Sequence, residues 1–183
     1  LFLLPYLPYT KRCLQAKQTM EVKYDKIGLD YNLTRKADKY LTEQLLLHLQ
    51  PTRDGKYLDI GCGTGNYTNE LQKSGFDFIG IDPSELMLEK AKLKNYKIDW
   101  RIGSAENTGL PENFVNGIIG SLTIHHWTNL KTGFSELNKV LKPSGRIVIF
   151  TSTRPPSKNK GALIIKGDSF EASQEPFSVF SPV

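Results

Sequence analysis

Two carboxylates and three glycines are the residues of this sequence whose types and spacing suit the binding of a charged ligand. In the stretch Tyr57-Leu58-Asp59-Ile60-Gly61-Cys62-Gly63-Thr64-Gly65, the acid stands two residues before the first of three alternating glycines. Glycine lets a ligand approach the backbone, and a helix starting behind such a turn aims its first amides at the same place. Asp82 follows 23 residues after Asp59 and closes the apolar run Phe78-Ile79-Gly80-Ile81. At that spacing, an acid at the tip of a second parallel strand reaches ribose hydroxyls. Both marks together point to a nucleoside-containing cofactor.

Glycine spacing separates two cofactor classes. The dinucleotide fingerprint G-x-G-x-x-G would put its third glycine at Asn66, whereas this chain reads G-x-G-x-G. A pyrophosphate cradle has no need of Asp59. A carboxylate beside backbone amides suits a zwitterionic amino-acid tail, because it receives an ammonium directly or through water. The stretch resembles motif I of the class I S-adenosylmethionine (SAM) dependent methyltransferases. An NAD(P)-dependent oxidoreductase stays as an alternative, disfavoured by Asn66.

The resemblance runs from about Tyr24 to Thr151. Gly80-Ile81-Asp82-Pro83-Ser84 with Leu86-Met87-Leu88 resembles the family's second-strand acid and following helix. Gly103-Ser104-Ala105-Glu106, then Leu110-Pro111, resembles the adenine-side loop, with Ser104 where the family often has Asp. Phe114 to Trp127 resembles the fourth strand and its end. Glu136 to Phe150, containing Leu141-Lys142-Pro143-Ser144-Gly145-Arg146, resembles the helix, turn and fifth strand. Similarity is to the type-11 small-molecule methyltransferases. It implies methyl transfer from SAM to a small-molecule acceptor. It sets Asp59, Gly61, Gly63 and Gly65 around the methionine tail, Asp82 on the ribose, and Ser104 and Ala105 near adenine. Cys62, Pro83, Glu106 and Ser121 complete the cofactor-binding set; the alternative for Glu106 is a cap on the turn before Leu110-Pro111.

Acceptor chemistry is expected from Ile124-His125-His126-Trp127, after the fourth strand. One histidine near the methyl group suits a general base, since an imidazole accepts a proton near neutrality. On an extended segment the two side chains point in opposite directions, and no ligand-spaced Cys, His or Asp recurs nearby, so no metal is expected. Tyr24, Tyr31 and Arg35 resemble a segment that folds over the cofactor, with Trp127 as a further substrate or lid candidate. Surface packing is the other reading of the tyrosines.

The elements that would position these residues alternate. A helix over about 37–49 carries Tyr40, Leu41, Leu45 and Leu49 as an apolar stripe. Strand, helix, strand then repeats through helices at 66–74, 84–95 and 130–141, with Ser84 as an N-cap and Gly75 as a helix stop. The expected fold class is α/β: a doubly wound, mostly parallel Rossmann-like sheet with helices on both faces and the ligand at the strands' C-terminal ends. Residues 1–19 read as a tail, disordered or non-native, and 20–151 as the methyltransferase domain. Residues 152–183 read as irregular, with Ala162 to Lys166 the single strand candidate and the C-terminal strands missing or diverged. A truncated or non-catalytic SAM-binding protein is therefore a second alternative.

Composition narrows the partners. A net charge of +5 over 183 residues, with scattered basic residues and no interleaving of Arg or Lys with aromatics, argues against nucleic acid. Leu1 to Tyr9 is too short and proline-broken to span a bilayer. Cys13 and Cys62 have no metal-ligand spacing, and a disulfide at Cys62 would distort the glycine turn, which points to a reducing, cytoplasmic setting. The expected assembly is a monomer or weak homodimer.

Overall fold

The computed structural model describes residues 36–152, 160–166 and 178–180. Helix α1, Lys39–Leu49, is started by Asp38, whose side chain accepts from the Leu41 amide, and is stopped by Gln50 at φ 51°. Leu41, Leu45 and Leu49 are buried, while Tyr40 is 57% exposed, so the apolar stripe is one residue narrower than its sequence suggests.

Five parallel strands form the body of the sheet: β1 Lys56–Ile60, β2 Asp77–Asp82, β3 Asp99–Ile102, β4 Val115–Ser121 and β5 Leu141–Ser152. Helices α2 Asn66–Lys73, α3 Glu85–Lys94 and α4 Leu130–Val140 make the crossovers. Alternate residues of each strand feed opposite faces. Leu58, Ile60, Ile79, Ile81, Ile147 and Ile149 pack with Phe134, Leu137 and Val140 of α4. Tyr57, Phe78, Ile119 and Val148 pack with α1 and with Leu71 of α2. Such continuous apolar runs are what a sheet covered on both faces requires. Ser84 caps α3, its hydroxyl accepting from the Met87 amide.

Beyond Ser152 the structure corrects the expectation. Strand β6, Lys160–Lys166, pairs antiparallel with β5 from Arg146↔Lys166 to Ser152↔Lys160, and β7, Ser178–Phe180, pairs antiparallel with β6. The sheet has seven strands in the order β3-β2-β1-β4-β5-β6-β7. C-terminal strands are therefore present, and β5 is not an open edge. A three-residue strand carries no periodicity to read, which is why β7 was illegible. Near the start of β5, Ser144 takes the left-handed conformation at φ 64°, where the pairing with β4 shifts register.

Candidate functional site

The strand order turns at β1 and β4, so the chain leaves the sheet in opposite directions on the two sides of that pair. A crevice opens there, above the strands' C-terminal ends. Asp59 is the penultimate residue of β1, Asp82 the last of β2 and Ser121 the last of β4. Register sets Ile60 beside Ile81, which brings the two acid-bearing tips side by side.

Above β1 the chain turns through Gly61, Gly63 and Gly65, at φ 68°, 55° and 70°. A Cβ at Gly61 would strike the Thr123 side chain, and one at Gly65 would strike the Trp100 ring. At Gly63 a Cβ would meet nothing within 4 Å. Two of the glycines thus serve packing, and the middle one leaves the turn open to a visitor.

Most amides of the turn itself have protein partners. Gly61 and Cys62 both donate to the Ile81 carbonyl, at 2.7 and 3.0 Å, and Gly65 donates to the Cys62 carbonyl at 2.9 Å. Cys62 thus has its amide already engaged within the protein. Its side chain packs against the cluster of Leu88, Ala91, Ile98 and Trp100, and burial pushes its thiol well above the ordinary value. Gly65, the N-cap of α2, has no side chain to cap that helix.

The carboxylates are buried. Asp82 accepts from the Gly63 amide at 2.8 Å and the Ser84 amide at 2.9 Å, one bond to each oxygen. Burial raises its pKa against the pull of those amides. Asp59, 2% exposed, accepts from the Thr68 hydroxyl at 2.6 Å. Burial pushes its pKa to about 7; the Thr68 bond opposes the rise and the neighbouring Asp82 charge adds to it. A cation arriving here would relieve both carboxylates. Ser121 adds a buried hydroxyl with no hydrogen-bond partner.

On the adenine side, Ser104 and Asn107 exchange backbone hydrogen bonds at 3.0 and 3.1 Å, which fixes a tight turn beyond β3. Ala105 is buried as a whole residue, 3% exposed, with its side chain in the core. Glu106 has different work from either reading of the sequence. Its carboxylate accepts from the amides of Thr128 and Asn129, at 2.6 and 3.1 Å, and so ties down the loop entering α4. Burial opposes ionisation, but those amides and the Ser104 hydroxyl hold its pKa below the usual range. Pro83 is exposed between Asp82 and Ser84.

Past β4 the backbone bends at Leu122, φ 57°, whose amide donates to the Phe150 carbonyl. Residues Ile124–His126 then form a 3-10 turn rather than an extended segment. The His125 and His126 rings lie 3.9 Å apart at 50°, both exposed, which corrects the expectation that they point in opposite directions. Trp127 packs on Phe134, with ring centroids 5.1 Å apart, and over Gly133. Tyr24, Tyr31 and Arg35 lie outside the described residues. Sequence reasoning missed Thr68, Trp100, Thr123 and Lys94, which act on the site through contacts that no local pattern announces.

A buried acid at each of two adjacent strand tips, an orphaned hydroxyl and an open turn fit a ligand with a diol and a cationic tail. Fold and crevice define a Rossmann-like protein. The methyltransferase domain family matches residues 58–149, half of the 183-residue chain. This chain belongs to the SAM-dependent methyltransferases. It is 34% identical over 142 residues to the biotin biosynthesis bifunctional protein BioHC of Cellvibrio japonicus, covering 77% of this chain and 27% of that one. A crystal structure from Anabaena variabilis, described as a candidate methyltransferase of an antibiotic biosynthesis pathway, is 32% identical with a TM-score of 0.61, covering 64% of this chain and 47% of that one. Geranyl diphosphate C-methyltransferase of Streptomyces coelicolor, solved with S-adenosyl-L-homocysteine, shares the fold at 22% identity and a TM-score of 0.57, covering 61% of this chain and 45% of that one. The chain spans between about a quarter and a half of the length of these relatives.

Proposed function

We propose that this chain binds SAM across the crevice above β1, β2 and β4 and transfers its methyl group to a small-molecule acceptor. The observation that carries the reading is the pair of buried acids, Asp59 and Asp82, on either side of the open turn at Gly63. Asp82 makes one hydrogen bond per oxygen within the protein, so each oxygen keeps a lone pair for a ribose hydroxyl. Asp59 suits the ammonium of the methionine tail, and the Ser121 hydroxyl suits a polar atom of the same tail. The backbone turn at Ser104 and Ala105 faces the adenine end.

SAM supplies a methyl group carried on a positively charged sulfur. The protein's part is then mainly to hold an acceptor in line at roughly 3 Å and to exclude water. His125 and His126 are the bases at hand for an acceptor that must lose a proton.

Calorimetric titration of the full chain with S-adenosylhomocysteine tests the reading. Micromolar binding is expected, with a loss of roughly 10- to 100-fold in Asp82→Ala, the scale of charge-assisted hydrogen bonds. A folded chain that ignores S-adenosylhomocysteine but binds NADH would overturn it.

A further inference from the structure

Lys94, the last residue of α3, reaches away from its own helix to the glycine turn. Its ammonium donates to the Thr64 carbonyl at 3.0 Å, the Thr64 hydroxyl at 2.9 Å and the Asn66 side-chain carbonyl at 2.6 Å. Three donors thus meet three acceptors on the segment that joins Gly63 to α2. The next residue repeats the link, with the Asn95 side-chain amide donating to the Asn69 side-chain carbonyl at 3.0 Å. Trp100 completes the buttress from beneath. Its indole donates to the Asn95 carbonyl at 2.8 Å, and its ring fills the space that side chains at Gly65 and Gly80 would need.

A lysine in the last turn suits the C-terminus of α3, but α2 gains nothing from the ammonium. The N-terminus of α2 carries a positive partial charge, so an ammonium beside it is unfavourable for that helix. Burial, with the neighbouring Lys90 charge, lowers the Lys94 pKa, as expected of a cation held where it is not at ease. What the ammonium does fix is the Thr64 peptide, the unit between two glycines in the left-handed region. A turn of three such glycines is otherwise loose, and its geometry sets where a ligand's tail rests.

We propose that Lys94 is a positioning residue that locks the Gly61 to Gly65 turn in the shape that receives the methionine tail. The inference rests on the reading of the crevice as a SAM site. Lys94 touches no ligand atom in this scheme and acts through Thr64 and Asn66. Its loss is therefore felt by ligands with the tail and not by the nucleoside alone.

The test uses the full chain and two probes, S-adenosylhomocysteine and adenosine, which lacks the tail. Lys94→Met is expected to weaken S-adenosylhomocysteine roughly tenfold while leaving adenosine unchanged, and Lys94→Arg to restore part of the loss. Thr64→Val removes one of the three acceptors and is expected to give about a two- to threefold loss in the same direction, so it carries the test if Lys94→Met does not fold. Lys92→Met, an exposed lysine on the same helix, is the unaffected control. Equal binding by wild type and Lys94→Met, or parallel losses for both probes, overturns the proposal alone. Failure of the wild type to bind S-adenosylhomocysteine overturns the site reading beneath it as well.

Discussion

The two sides of the crevice are built differently. On the donor side, the tips of β1 and β2 carry buried acids, each hydrogen-bonded, beneath a turn whose backbone is pinned by Ile81, Asp82 and Lys94. Beyond β4, the side proposed for the acceptor is a 3-10 turn with two exposed histidines, and Glu106 and the Trp127–Phe134 contact hold the loop that follows. One side has few permissible residues at each position. The other presents chemistry on a surface that tolerates change. A common donor and a variable acceptor would produce that contrast, because only the donor's geometry stays the same from one reaction to another.

The contrast breaks most visibly at the glycines. Gly61→Ala puts a side chain at φ 68° and into Thr123, and is expected to cost roughly 2–4 kcal/mol of stability. Gly63→Ala has the same backbone penalty but open space, so about 1 kcal/mol is expected, together with a large loss of S-adenosylhomocysteine affinity. Thermal unfolding and titration of the two variants separate packing from binding. Similar behaviour in both would mean that the turn has no ligand face at Gly63.

A middle-sized effect belongs to Asp59. Its pKa is raised to about 7, so the folded state keeps a proton that the unfolded chain loses near the ordinary value of 3.8. Stability from this group is complete below about pH 4 and declines as pH rises towards 7, by up to a few kcal/mol. Asp59→Asn should flatten that part of the stability–pH profile. Binding runs the other way: an ammonium tail favours the carboxylate, so S-adenosylhomocysteine affinity should rise between pH 5.5 and 7 and level off above it, and Asp59→Asn should remove the rise. A profile that is flat in the wild type would place the tail elsewhere.

The difference between the two sides also explains what could be read without coordinates. Asp59, Gly61, Gly63, Gly65 and Asp82 follow from local rules of strand tips and turns, and the buried runs of β1, β2 and β4 follow from period and composition. Thr68, Thr123, Trp100 and Lys94 do not, because their contacts with the turn join residues distant in sequence and involve types common everywhere. The contacts of Glu106 were hidden for a related reason. Its partners, Thr128 and Asn129, lie 22 and 23 residues further on, and nothing nearby in sequence marks their amides as donors to it. The Ala162 to Lys166 strand candidate lies within β6, whereas β7 was obscured by a segment rich in Pro, Ser and Lys, although backbone pairing needs no particular side chain.

The smallest effect is the sharpest test of the division. His125→Gln and His126→Gln change exposed rings beyond the end of β4, on a turn whose backbone bonds run from His126 to Thr123 and from Trp127 to Ile124. Those backbone bonds survive either substitution, so stability should move by no more than about 0.5 kcal/mol, as for other surface changes. S-adenosylhomocysteine affinity should stay within about twofold of wild type, well under one hydrogen bond's worth. Once an acceptor is known, turnover at saturating donor should fall in one variant if its proton must leave, and in neither if the acceptor attacks as it is. A variant that weakens donor binding tenfold would instead bring the histidine turn into the donor site, and the two sides of the crevice would be one.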